Sequence, residues 1–280
     1  MVGYCRICGS YGDLTEDHSP PKGVAKPESR ALADFGQWAT KRSQTHRFKK
    51  YHGGVRFATL CDHCNTDLLG GKYDPELAKL CKSVSDIAKP SIYNRIALPA
   101  DMSFPVHLPR LAKALAGHLL AVAKSEVVQR PLDGQPEPKH YGRLREYVLD
   151  PSAAFPENIK LFMWAYYGQR IATLQAVGIV NTYNPKGMLL HGDVQKFYPF
   201  GFLWSTNPDV RAMQFAVDIT PVGAKAAGET ALLPFENDLL PEDWPEYVGD
   251  NGVILHSNDT ASFVAEKFKR PFKRRKNRRG

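Results

Sequence analysis

The chain has 280 residues, 43% hydrophobic, 11% aromatic and 24% charged, with a formal net charge of +8 and five cysteines. This is globular composition with enough length for a sizeable core and two domains, and no apolar run is long enough to span a membrane. The opening residues Met1 to Cys5 lack the basic and apolar regions of a signal peptide, and the cysteines suit a reducing cytosol better than a disulfide framework, so a cytoplasmic protein is expected.

Along the chain, the first landmark is Cys5-Arg6-Ile7-Cys8, expected as a short turn flanked by Tyr4 and Tyr11. Asp17-His18 follows, then a loop holding Pro20, Pro21 and Pro27. A polar, basic segment over 41–56 ends in Gly53-Gly54 before the alternating residues 55–60, which read as a strand. That strand leads into Cys61-Asp62-His63-Cys64 and then Asn65. Asp74-Pro75-Glu76 makes a helix start, with Asp74 as cap and Pro at N1. The helix should end at Lys89, before Pro90, with Leu77, Leu80, Cys81, Val84 and Ile87 on its apolar face. Cys81 is then a small core residue.

Residues 1–90 are accordingly expected as a zinc module and 91–262 as an α+β accessory domain with a mostly antiparallel sheet. The second part opens with an amphipathic helix over 108–128 and a Pro/Gly-containing loop over 131–139. A segment at 159–167 reads as a helix or a buried strand. Strand-like stretches follow at 170–180, 188–193, 200–205 and 213–219. Residues 263–280 read as a basic tail, disordered without a partner, with nine Lys or Arg between Lys267 and Arg279. Residues 1–60 balance at +5, so positive charge is gathered at the two ends and a polyanion would meet those.

Two Cys-x-x-Cys pairs supply four thiolates at zinc-ligand spacing, a closed structural site rather than a catalytic one. The Asp-His pair and Asn65 suggest a second centre. An imidazole titrating near neutrality suits His18 as general base, while a carboxylate and an amide oxygen are hard ligands that suit Mg²⁺ or Mn²⁺ on Asp17 and Asn65. Neighbours on a strand point to opposite faces, so Asp17 and His18 need irregular backbone or metal geometry to converge. Lys41, Arg42, Arg47, Lys49, Lys50 and Arg56, with Phe48 and Tyr51 interleaved, suit phosphate contacts, and Lys273, Arg274 and Arg275 in the tail suit non-specific attraction. Lys72, Asp74 and His118 read as a surface charge, a helix cap and a core-facing histidine; His191 and Asp193 read as structural.

The run Cys-x-x-Cys, Thr15-Glu16-Asp17-His18-Ser19-Pro20, then Leu60-Cys61-x-x-Cys64-Asn65 resembles the zinc-bound HNH endonucleases, of the kind represented by recombination endonuclease VII. The resemblance covers about the first 75 residues. It implies a ββα-metal site on a treble-clef zinc fold, Cys5, Cys8, Cys61 and Cys64 as structural Zn²⁺ ligands, Asp17 and Asn65 as ligands of a catalytic divalent cation, and His18 as base. Arg56 stands where the family often has Asn, Leu69 stands where some members carry a further ligand, and 68–72 interrupts the usual helix. The expectation is a DNA endonuclease, with RNA left open as a substrate and the middle of the chain left for a protein partner or activator. The alternative is a zinc-stabilised nucleic-acid-binding protein without catalysis.

Overall fold

A computed structural model describes residues 1–26, 28–40, 49–99, 101–123, 139–181, 188–206, 216–221, 229–234, 244, 252–255 and 262–267. A small hairpin opens the chain, β1 (Val2–Tyr4) against β2 (Tyr11–Asp13), and its turn carries the first two cysteines. Gly9 closes this turn at φ 74°, donating its N–H to the Cys5 carbonyl at 2.8 Å, a conformation that costs glycine little. β3 (Thr15–Ser19) then pairs antiparallel with β6 (Val55–Leu60), setting Asp17 opposite Phe57 and His18 opposite Arg56. Between them lie β4 (Arg30–Asp34), the short α1 (Phe35–Thr40) and β5 (Lys49–Tyr51).

The chain leaves β6 directly into helix, but of an uncommon kind. His63–Tyr73 is π-helical and continues without a break into α2 (Asp74–Asn94). The Asp74 N–H bonds the Leu69 carbonyl, the i→i+5 closure of a wide turn. Gly70-Gly71 permits this: a Cβ on Gly70 would stand 3.3 Å from the Asn65 carbonyl oxygen, a close contact. Gly70 thus suits the wide helix at a point where the sequence reads as an interruption. α2 also runs five residues past its expected end at Lys89. Pro90 sits inside it on an exposed face, Ser91 Oγ donates to the Ile87 carbonyl at 3.0 Å, and Arg95 in the left-handed region ends the helix.

The rest of the chain supplies β7 (Asp101–Pro105), α3 (Leu108–Val122), α4 (Lys139–Leu149), β8 (Lys160–Ala165), β9 (Ile171–Asn181), β10 (Met188–Phe197), β11 (Phe200–Ser205), β12 (Val217–Asp218), β13 (Thr230–Pro234), β14 (Gly252–Leu255) and β15 (Ser262–Lys267). A 9-stranded sheet runs β12-β8-β11-β10-β9-β15-β4-β5, with β14 also pairing with β9, and every described pairing is antiparallel. The segment at 159–167 is thus a buried strand, and mixed α and β structure with mostly antiparallel sheets is what the chain builds. Of the stretch 213–219, only 217–218 is a described strand, and 213–215 lie outside the described residues together with 124–138.

Strands β4 and β5, from before residue 90, share this sheet with strands from after it. β15 lies between β9 and β4, so the expected tail starts too early: 263–267 is strand, its Phe263-Val264-Ala265 core masked in the sequence by the charge that follows. One face of the sheet buries Trp164, Leu174, Val194, Leu203 and Val264 with Phe35 of α1. The larger core gathers α2, α3, α4 and the cysteine turns. α3 is buried along nearly its whole length, as its Ala- and Leu-rich sequence allows.

Candidate functional site

Cys5, Cys8, Cys61 and Cys64 come together from the first hairpin turn and the end of β6, their sulfur atoms all within 4.8 Å of one another. A tetrahedral zinc with Zn–S bonds of about 2.3 Å needs sulfurs about 3.8 Å apart; Cys8 Sγ and Cys61 Sγ lie 3.7 Å apart. The four residues therefore form a site that could hold a structural zinc ion. Cys5 and Cys64 are buried, and the hydrogen bond between them draws the Cys5 thiol down to about 4 while pushing the Cys64 thiol up. Four thiols this close cannot all ionise unaided, and a divalent cation would resolve the conflict. The turn is anchored from outside: Arg6 N–H bonds the Thr59 carbonyl at 3.0 Å, and Arg6 Nη1 and Thr59 Oγ1 both donate to Ala121 at the end of α3, at 2.9 and 2.7 Å.

Beside this cluster is a cleft of about 400 Å³ lined by Glu16, Asp17, His18, Lys22, Asn65 and Asp74, among others. Asp17 and His18 are consecutive on β3, and both reach the cleft, Asp17 from its buried side at 4% exposure and His18 half-buried. Partial burial holds the His18 imidazole below its ordinary pKa, helped by Lys22 and opposed by Asp17, which leaves it neutral and able to accept a proton at neutral pH. Asn65, the residue after Cys64, is fixed by its amide group, which donates to Thr15 Oγ1 at 2.9 Å and to the Glu16 carbonyl at 3.3 Å. With the N–H₂ so used, its Oδ1 is the polar atom left for another partner.

Two further residues of this region were not expected to belong to a site. His118, on α3, is buried at 3% exposure and places Nδ1 2.9 Å from Asp17 Oδ2 and Nε2 2.9 Å from Asp74 Oδ1. Burial opposes a charge on this ring, but Asp17 and then Asp74 outweigh it, and the pKa stands well above the ordinary value. Asp74 does not cap its helix: Tyr73 occupies the cap position and the Asp74 carboxylate turns to His118 instead. Leu69, at the position where some members of the resembled family carry a further ligand, is fully buried.

The basic residues divide. Lys49 and Lys50 are exposed on β5, and Arg56 on β6 is tied to Glu16 at 2.6 Å. Lys41, Arg42, Arg47, Lys273, Arg274 and Arg275 lie outside the described residues. Lys72 is exposed, as expected. Asp193 is buried and structural, accepting from Tyr141 Oη at 2.8 Å and from the N–H of Ala176 at 2.7 Å, where β9 bulges at φ 50°. His191 Nδ1 meets Thr206 Oγ1 at 2.9 Å. Among the described residues no helix is long and apolar enough to cross a membrane. Compared with protein-family models, curated proteins and solved structures, the chain matches none.

Proposed function

We propose that this chain is a metal-dependent endonuclease of the zinc-bound HNH kind, hydrolysing phosphodiester bonds in DNA. One observation carries the reading: Asp17, His18 and Asn65, drawn from a β-strand and from the helix that follows its partner strand, line a single cleft next to four clustered cysteines. A Mg²⁺ or Mn²⁺ ion held by the Asp17 carboxylate and the Asn65 amide oxygen would offset charge on the phosphate and the leaving oxygen.

The chain's own groups do the rest. His18, kept neutral by its lowered pKa, accepts the proton of the attacking water. Thr15 and the Glu16 carbonyl hold the Asn65 amide so that its oxygen, not its nitrogen, is free. Lys22 in the cleft, with the exposed Lys49 and Lys50, offers positive charge to the phosphate backbone. The four thiolates hold zinc as structure, away from the chemistry.

The alternative, a zinc-stabilised nucleic-acid-binding protein without catalysis, draws on Leu69 standing buried where a further ligand would be. Supercoiled plasmid incubated with Mg²⁺ or Mn²⁺ separates the two. Nicking or linearisation by wild type, lost in His18→Ala and with EDTA, is the expected result. Binding without scission under either metal, unchanged in His18→Ala, favours the alternative.

A further inference from the structure

We propose that His118 is the positioning residue of the cleft, braced by Asp74 at one ring nitrogen and gripping Asp17 with the other so that the Asp17 carboxylate presents its remaining oxygen to a bound cation. This rests on the reading of Asp17 as a cation ligand and adds to it a residue from α3, well outside the segment that resembles a nuclease.

The geometry is specific. Nδ1 takes Asp17 Oδ2 and Nε2 takes Asp74 Oδ1, each at 2.9 Å, so both nitrogens donate and the ring has no freedom to turn. His118 engages one oxygen of each carboxylate, and both Asp17 and Asp74 line the cleft. Asp17 is 4% exposed and would be an uncompensated buried charge without its partner. Asp74 arrives through the π-helical segment. At roughly 4.4 residues per wide turn, two turns beyond Asn65 fall on Asp74, so the helix face that carries Asn65 also carries this carboxylate. In a regular α-helix of about 3.6 residues per turn, the nine-residue step from Asn65 to Asp74 would be about two and a half turns and would set Asp74 on the opposite face; Leu69 is buried against α3.

A buried ion pair could serve stability alone, and the two amide substitutions distinguish the roles. His118→Asn places an N–H₂ near the position of Nδ1 and can still hold Asp17; His118→Gln places one near Nε2 and can hold only Asp74. Both remove the same charge. Zinc content and thermal melts establish that each variant is folded. Mn²⁺ affinity is then read from the free-ion EPR signal of the zinc-loaded full chain, with no substrate present. Loss of an orienting partner typically weakens metal binding about 10-fold or more. We expect a loss of about that size in His118→Gln, with His118→Asn close to wild type.

Equal affinities in the two variants, or an equal loss in both, would overturn the positioning role. Asp17→Asn is the control. If it abolishes Mn²⁺ binding while His118→Gln does not weaken it, the cation site stands and the role of His118 falls. If Asp17→Asn binds Mn²⁺ as wild type does, the ligand reading falls and takes this role with it.

Discussion

Gly117 on α3 lies so close to Leu69 of the π-helical segment that a Cβ there would stand 2.3 Å from Leu69 Cδ2. The same methyl would meet Leu69 Cδ1 at 3.1 Å and Cγ at 3.3 Å, and Leu69 is fully buried. The contact sits one residue before His118, so it also sets how near α3 brings the imidazole to Asp17.

Gly117→Ala therefore pits two effects against each other. Ala is the better helix former by about 1 kcal/mol. Overpacking a filled core costs about 1–3 kcal/mol, and three close contacts with one buried side chain place this site toward the upper end. The net expectation is a chain destabilised by about 1–2 kcal/mol in urea unfolding. An unchanged or raised midpoint would mean that α3 and the π-helical segment are not locked together here.

Metal removal should act well beyond the cysteines. Cys5, Ile7, Leu60 and Cys64 belong to the same core as α3 and the helix carrying Asn65. Cys8→Ser leaves three thiolates, and the expected outcome is loss of bound zinc, measured by metal analysis, with a lower melting temperature and loss of any cleavage. Retention of full zinc and an unchanged melt would show that the four thiols do not share an ion.

The cysteine cluster was legible because Cys-x-x-Cys spacing is a local code, and β6, β9 and β11 were legible because hydrophobic patterning is local too. His118 was not. It lies 101 residues from Asp17 in sequence, and nothing near it signals that two carboxylates will converge on its ring. Asp74 carried a competing signal, since Asp before Pro reads as a helix cap. The π-helical segment overrode that by running helix straight through Gly70-Gly71. β4 and β5 sit in a stretch that reads as loop and basic linker, and find their partners only through β15. Tertiary pairing, which no window of sequence contains, decided these cases.

Thr15 offers a separate test of how Asn65 is held. Its Oγ1 accepts from Asn65 Nδ2 at 2.9 Å and donates to the Leu60 carbonyl at 3.0 Å. Thr15→Val keeps the shape and removes both bonds. About 1–2 kcal/mol of stability should go with them, and Asn65 loses the partner that fixes which amide atom faces the cleft. The proposed function then predicts a lowered cleavage rate with plasmid binding intact. A variant as stable and as active as wild type would show that the Glu16 carbonyl alone, at 3.3 Å, suffices to orient the amide.

Lys113 supplies the pH test. It is 1% exposed on α3, donates to the Tyr147 and Asp150 carbonyls, and lies 3.7 Å from the centre of the Tyr147 ring. Burial lowers its pKa to about 8, with Asp150 opposing the shift, against about 10.5 for an exposed lysine. The folded chain thus releases this proton before the unfolded chain does. Below pH of about 8 both states hold the proton and the full cost of burying the charge is present; between about 8 and 10.5 the unfolded state binds more protons and stability rises with pH. The neutral amine still has two N–H groups for the two carbonyls, so the bonding survives deprotonation. Lys113→Met has no proton to lose and leaves both carbonyls without the amine. The melting temperature of wild type should therefore gain on that of Lys113→Met as pH is raised from 8 to 10. A difference between the two that stays constant over this range would mean that the ammonium is stabilised where it lies, and that its ring and carbonyl contacts offset the cost of burial in full.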